Sequence, residues 1–140
     1  MEMTTDEWRA FVLSGTRTGK IGVIRKDGSP HVTPIWFLLD GDDLLFNTAE
    51  KGIKAHALKR DPRVSIAVDD QVAPYSFVVI SGVAALDTDQ DEMLRWATAI
   101  GARYMGEDRA EEYGKRNAVP GECLVRVRIT NIVAQRDIAA

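Results

Sequence analysis

The sequence predicts a mostly antiparallel β fold with inserted helices, a closed or partly closed barrel of about six strands, and three observations carry that expectation. Short apolar or alternating runs recur along the whole chain. Two compact turn clusters, Lys26-Asp27-Gly28-Ser29 and Asp40-Gly41-Asp42-Asp43, reverse the chain locally. Helical periodicity appears in only a few segments, so the strands do not alternate with helices as a doubly wound sheet requires.

Each element follows from local chemistry. Thr4-Thr5-Asp6-Glu7 has the spacing of a capping box, and Trp8, Phe11 and Val12 then form one apolar stripe, which predicts a helix over about residues 5–14. Lys20–Arg25 reads as a strand, His31–Leu39 as its antiparallel partner, and Leu44–Thr48 as a third strand, so the first half is expected to be a meander. Gly52–Arg60 turns helical, with Ile53, Ala57 and Leu58 on one face, and Asp61-Pro62 stops it. Arg63–Val68 and Phe77–Leu86 are two further strands around a polar loop, Asp69–Tyr75. Thr88 is expected to cap a long helix through Met93, Trp96, Ile100 and Tyr104, followed by a second helical piece near Asp108–Lys115. Glu122–Ile129 alternates apolar and charged residues as a sixth strand, which Asn131–Arg136 continues or bends. Neither a repeat nor a linker interrupts residues 1–140, so a single domain is expected.

A barrel this small fills its interior with its own side chains. A large ligand therefore needs an external groove.

Composition narrows the function. With a net charge of −3 there is no broad cationic field for nucleic acid or an anionic membrane, and any basic site must be local. The apolar runs Ile35–Leu39 and Phe77–Ile80 fall far short of a membrane span. One cysteine, Cys123, allows no internal disulfide, and Met1–Trp8 lacks the pattern of a secretion signal, so a cytoplasmic location is expected. The two histidines, His31 and His56, have no metal-binding companions, and neither a nucleophile elbow nor a phosphate-binding glycine loop occurs. No metal site is expected, and Cys123 reads as core.

The segment Asn47-Thr48-Ala49-Glu50-Lys51-Gly52-Ile53-Lys54 is more informative. A strand end bearing small polar side chains runs directly into a helix N-terminus that carries two lysines. Free backbone N–H groups, the helix dipole and an ammonium group together suit a phosphate. The same residues read equally as an ordinary solvated basic helix, and pattern alone does not choose.

The string His31-Val32-Thr33-Pro34-Ile35-Trp36-Phe37, then Asn47-Thr48, Lys54 and Leu58-Lys59-Arg60-Asp61-Pro62-Arg63-Val64, with Gly82-Val83-Ala84 and Val119-Pro120-Gly121-Glu122 later on, resembles the pyridoxamine 5'-phosphate oxidase-like split β-barrel family. It is most similar to the branch that uses the deazaflavin coenzyme F420. The resemblance implies a six-stranded split barrel, homodimeric, with its cofactor in a groove at the subunit interface. It implies cofactor contacts from His31 and from Thr33, Pro34, Ile35 and Trp36 around the ring. Asn47, Thr48 and Lys54 would hold ribityl and phosphate groups, and Lys51 would add another contact. Tyr75 and Ser76 would approach the ring from the partner chain. Gly52 stands where the family often has arginine. The implied activity is an F420-dependent oxidoreductase transferring a hydride between the deazaflavin and a small organic electrophile, with Tyr75 or His31 as candidate proton donors. FMN in place of F420, or a non-catalytic cofactor-binding or storage role, are the alternatives; further cations for a longer anionic tail are sought at Lys51 and at Arg109, Lys115 or Arg116.

Overall fold

The computed structural model describes residues 1–140. Helix α1 (Thr5–Leu13) begins with the expected capping box: Glu7 N–H donates to Thr4 Oγ1 at 3.2 Å and Thr4 N–H donates to Glu7 Oε1 at 3.0 Å. The strands are β1 (Gly19–Ile24), β2 (Pro30–Ile35), β3 (Leu38–Asp40), β4 (Asp43–Ala49), β5 (Arg63–Asp69), β6 (Phe77–Asp87) and β7 (Glu122–Gln135). Helix α2 (Ile53–Arg60) lies between β4 and β5, and α3 (Gln90–Met105) and α4 (Ala110–Asn117) lie between β6 and β7.

There are seven strands where six were expected, all antiparallel in one sheet of order β2-β1-β5-β6-β7-β4-β3. The difference arises at Trp36-Phe37, which breaks the expected strand His31–Leu39 in two. The first half is consequently two hairpins on opposite edges of the sheet, not a meander. Because only two residues join Ile35 to Leu38, the edges β2 and β3 must come within about 10 Å of each other there. The sheet curls like a barrel, but β2 and β3 do not pair, so it stays open along that seam.

Curling divides the apolar side chains into two cores. Inside the curl, alternate residues of β1, β5, β6 and β7 (Ile21, Val23, Ile66, Val68, Ile80, Val125) pack with Trp8 and Val12 of α1 and with Ala55, Ala57 and Leu58 of α2. Outside it, Leu45 and Leu124 meet Met93, Trp96 and Ala97 of α3. The unbroken run Leu44-Leu45-Phe46 is thereby explained, since β4 is covered on both faces. At Gly82, beside a bulge in the β6–β7 ladder, an added Cβ would stand 2.5 Å from Val127 Cγ1 and 2.6 Å from Arg128 O, so the strands fit only without one.

Three local expectations shift. Ile53, placed on the apolar face of α2, is 54% exposed, and Ala55 takes its place in the core. Asp89 caps α3, accepting from Glu92 N–H at 2.9 Å, one residue after the expected Thr88. The piece expected at 108–115 is a 3-10 turn, Glu107–Arg109, followed by α4.

Candidate functional site

A cavity of about 320 Å³ lies where the sheet seam, the end of β4 and the start of α2 converge. The register pairs Ala49 with Glu122, and Glu50 N–H donates to Gly121 O at 2.8 Å, so the ends of β4 and β7 stay together as the chain turns into α2. Pro34, Ile35 and Trp36 wall the cavity from the seam side; Asn47, Thr48 and Ala49 line it from β4, and Lys54 enters from the first turn of α2. Lys54 Nζ donates to Thr33 Oγ1 at 3.2 Å, which ties α2 to β2.

The polar groups here are incompletely satisfied. The amide Nδ2 of Asn47 is enclosed and has no hydrogen-bond partner, and such an orphaned donor costs about 1–3 kcal/mol until something accepts from it. The Lys54 ammonium gives one hydrogen to a neutral hydroxyl and keeps two for an anion. Helix α2 has no side-chain cap and no acidic residue in its first turn, so its N-terminal dipole is uncompensated. A donor amide, a cation and a free helix N-terminus fit a ligand carrying hydroxyl or carbonyl acceptors and a phosphate.

The far wall went unread in the sequence. Ala97 and Ile100 of α3, Asn117 at the end of α4 and Glu122 of β7 complete the cavity. Burial raises the Glu122 carboxyl above its ordinary value. Behind Trp36, the Tyr104 ring lies parallel at 5.0 Å and 5°, and Tyr113 tilts against the indole at 5.9 Å. Burial raises the Tyr104 phenol as well, against the pull of the Phe37 backbone and the Arg103 charge. The stripe Met93-Trp96-Ile100-Tyr104 signals a buried helix face, but only the position of α3 across the seam turns part of that face into a cavity wall. Trp36 thus both packs on tyrosines and lines the cavity.

Of the residues singled out in the sequence, Pro34, Ile35, Trp36, Asn47, Thr48 and Lys54 surround this one cavity, with Thr33 joined to it through Lys54. The others lie elsewhere on the chain. Lys51 is exposed in the turn before α2. His31 Nδ1 stands 2.7 Å from Arg25 Nη2 on β2. Tyr75, at φ 63° and 45% exposed, and Ser76 sit in the β5–β6 loop, held to the C-terminal segment by Ile138 N–H to Tyr75 O at 2.9 Å and Asp137 N–H to Ser76 Oγ at 3.1 Å. Arg109 pairs with Glu112 at 2.6 Å, and both Arg109 and Arg116 rest on the Tyr113 ring, at 5.0 and 5.2 Å. Cys123 is fully buried, and burial first, then the Glu50 and Glu122 charges, push its thiol up to about 11, as befits a core residue. No helix is long and apolar enough to cross a membrane.

Comparison with known proteins agrees with this architecture. The family model described as pyridoxamine 5'-phosphate oxidase matches residues 4–136. Among solved structures, a conserved hypothetical protein from Mycobacterium tuberculosis is similar at 26% identity and a TM-score of 0.84, over 99% of this chain and 89% of that one. An F420 reductase is similar at 24% identity and a TM-score of 0.66, over 88% of this chain and 94% of that one. An FAD-binding protein from Mesorhizobium loti is similar at 18% identity and a TM-score of 0.71, over 96% and 95%.

Proposed function

Since the chain belongs to the pyridoxamine 5'-phosphate oxidase family, we propose that it is an oxidoreductase that holds coenzyme F420, a phosphate-bearing deazaflavin, in the cavity between Trp36 and Lys54 and acts on a small organic electrophile. One observation carries the reading: the Asn47 amide, with no acceptor, and the Lys54 ammonium, with only the neutral Thr33 hydroxyl, both line the cavity at a helix N-terminus, where a ribityl chain and its phosphate would supply acceptors. The likeness to an F420 reductase supports the choice of ring. Such a cofactor brings hydride transfer with it, so no nucleophile of the protein is called for.

The chain's own residues bind and orient. Pro34, Ile35, Ala97 and Ile100 offer apolar surface to a ring and exclude water from it, Trp36 gives a rigid flank, and Asn47, Thr48 and Asn117 offer polar contacts. F420 carries an anionic tail beyond its phosphate, and Arg116, with Lys115 beside it on α4, is the cation available to meet it, Arg109 being occupied by Glu112. We further propose a homodimer in which Tyr75 and Ser76 of the partner subunit approach the cavity. The exposed Val72, Tyr75 and Ile138, clustered where the β5–β6 loop meets the C-terminal segment, support it.

A second reading, FMN in the same cavity, is favoured by Lys54 being the single cation on its walls, which matches one phosphate. Fluorescence titration of the purified protein with F420 and with FMN separates the two. The expected result is tighter binding of F420, followed by oxidation of its reduced form by members of a panel of quinones, enones and tetrapyrroles. Tight FMN binding with no response to F420 would move the assignment to the second reading. Binding without turnover on any acceptor would leave a cofactor carrier.

A further inference from the structure

Helix α1 ends without a basic residue in its last turn. Its terminal carbonyls are met instead by two guanidinium groups, one just past the helix and one far along the chain: Arg17 Nη1 donates to Phe11 O at 3.3 Å, and Arg103 Nη2 donates to Val12 O at 2.7 Å. Arg103 has no carboxylate partner; its Nε donates to Gly15 O at 3.0 Å and its Nη1 to Phe37 O at 2.7 Å. The next residue completes the set. Tyr104 Oη accepts from Phe37 N–H at 3.2 Å and donates to Arg17 O at 2.8 Å, while its ring stacks on Trp36. Arg103 also lies over the Phe37 and Tyr104 rings, at 4.8 and 4.7 Å.

Phe37 therefore has both backbone groups bound by side chains of α3 rather than by a neighbouring strand, at the one place where the two sheet edges pass into each other. A backbone break there leaves an N–H and a C=O to be satisfied, and the residues that satisfy them also fix the plane of the preceding indole. We infer that Arg103 and Tyr104 are positioning residues of the cofactor cavity, setting the Trp36 ring through the Trp36-Phe37 break without touching the ligand themselves. The inference rests on the cofactor reading above. Its physical content is preorganisation, a wall already ordered in the ligand-free protein so that binding does not bear the entropy of ordering it.

The test uses Tyr104→Phe, which keeps the stacked ring and removes the hydroxyl, Arg103→Met, and Arg103→Lys as the conservative variant. Val78→Ala, a truncation in the main core away from the seam, is the control for general destabilisation. Near-UV circular dichroism of the free proteins, with Trp36→Phe identifying the Trp36 contribution, and dissociation constants for F420 and FMN are measured together. The expected outcome is a weakened Trp36 band and five- to twentyfold weaker binding in Tyr104→Phe and Arg103→Met, partial recovery in Arg103→Lys, and unchanged affinity in Val78→Ala at a similar fall in melting temperature. Wild-type affinity and an intact Trp36 band in both Tyr104→Phe and Arg103→Met would overturn the inference, as would equal weakening in Val78→Ala. If the wild type binds neither cofactor, the cofactor reading fails, and with it the role in binding; a band lost in the two variants would then mark them as structural supports of Trp36 alone.

Discussion

Lys54 on α2 and Thr33 on β2 are joined by a 3.2 Å hydrogen bond that fixes the ammonium at the mouth of the cavity while leaving two of its hydrogens free. Charge-assisted bonds contribute about 1.5–3 kcal/mol, so Lys54→Ala is expected to weaken cofactor binding roughly tenfold to a hundredfold with the fold intact. Lys59→Ala, exposed at the other end of the same helix, should change affinity little. Added salt should weaken the wild type more than Lys54→Ala. Equal dissociation constants for the two variants would place the phosphate elsewhere.

The enclosed Asn47 amide makes an opposite pair of demands on stability and binding. Asn47→Leu, close in shape, removes an unsatisfied donor. It should raise the stability of the ligand-free protein by up to about 1 kcal/mol and weaken the cofactor about tenfold. Urea denaturation and the titration check both halves, and a destabilised variant that binds normally would contradict the assigned role.

Helices α3 and α4 meet at Gly114, where an added Cβ would fall onto Thr98 Oγ1 and within 3.1 Å of the Thr98 Cα. Backbone must move to admit it. Gly114→Ala should cost about 1–3 kcal/mol and, because α4 carries Asn117 to the cavity wall, should loosen cofactor binding too. Retention of wild-type melting temperature would show that the helix pair is more yielding than its spacing implies.

Cys123 gives a signed pH dependence. Its thiol is raised from an ordinary 9.0 to about 11 by burial, so the unfolded chain releases the proton first. The contribution is fully present below pH 9 and is lost as pH climbs toward 11. Cys123→Ala should therefore flatten the alkaline fall in stability, measured as the difference between the two proteins' denaturation curves. Iodoacetamide at about pH 8 should label Cys123 only in denaturant.

What the sequence made legible is what short-range chemistry determines. The capping box at Thr4 and Glu7, the turns at Asp27-Gly28 and Gly41-Asp42, and the strand runs Arg63–Val68 and Phe77–Leu86 all need only neighbouring residues to be read. Part of the near wall falls in one continuous stretch, Asn47 to Lys54, which the pattern singled out while reading equally as a solvated basic helix. The break at Trp36-Phe37 was not: His31–Leu39 is uniformly suited to a strand, and what stops it is a pair of side chains far along the chain, Arg103 and Tyr104, that take the Phe37 N–H and C=O out of any ladder. Ala97 and Ile100 were hidden likewise, because a helix stripe shows which side is buried and not what it is buried against, and Asn117 and Glu122 reach the cavity only through the long-range placement of α4 and β7.

The place of β7 in the sheet also bears on how the protein is made. It lies between β6 and β4 and pairs with both along nearly their whole length, yet it follows both in the chain. During synthesis the β3–β4 hairpin has no sheet to join, and β6 offers a bare apolar edge, until Glu122–Gln135 has left the ribosome. A chain cut short before β7 would therefore present two separate half-sheets with unpaired edges rather than a smaller folded protein.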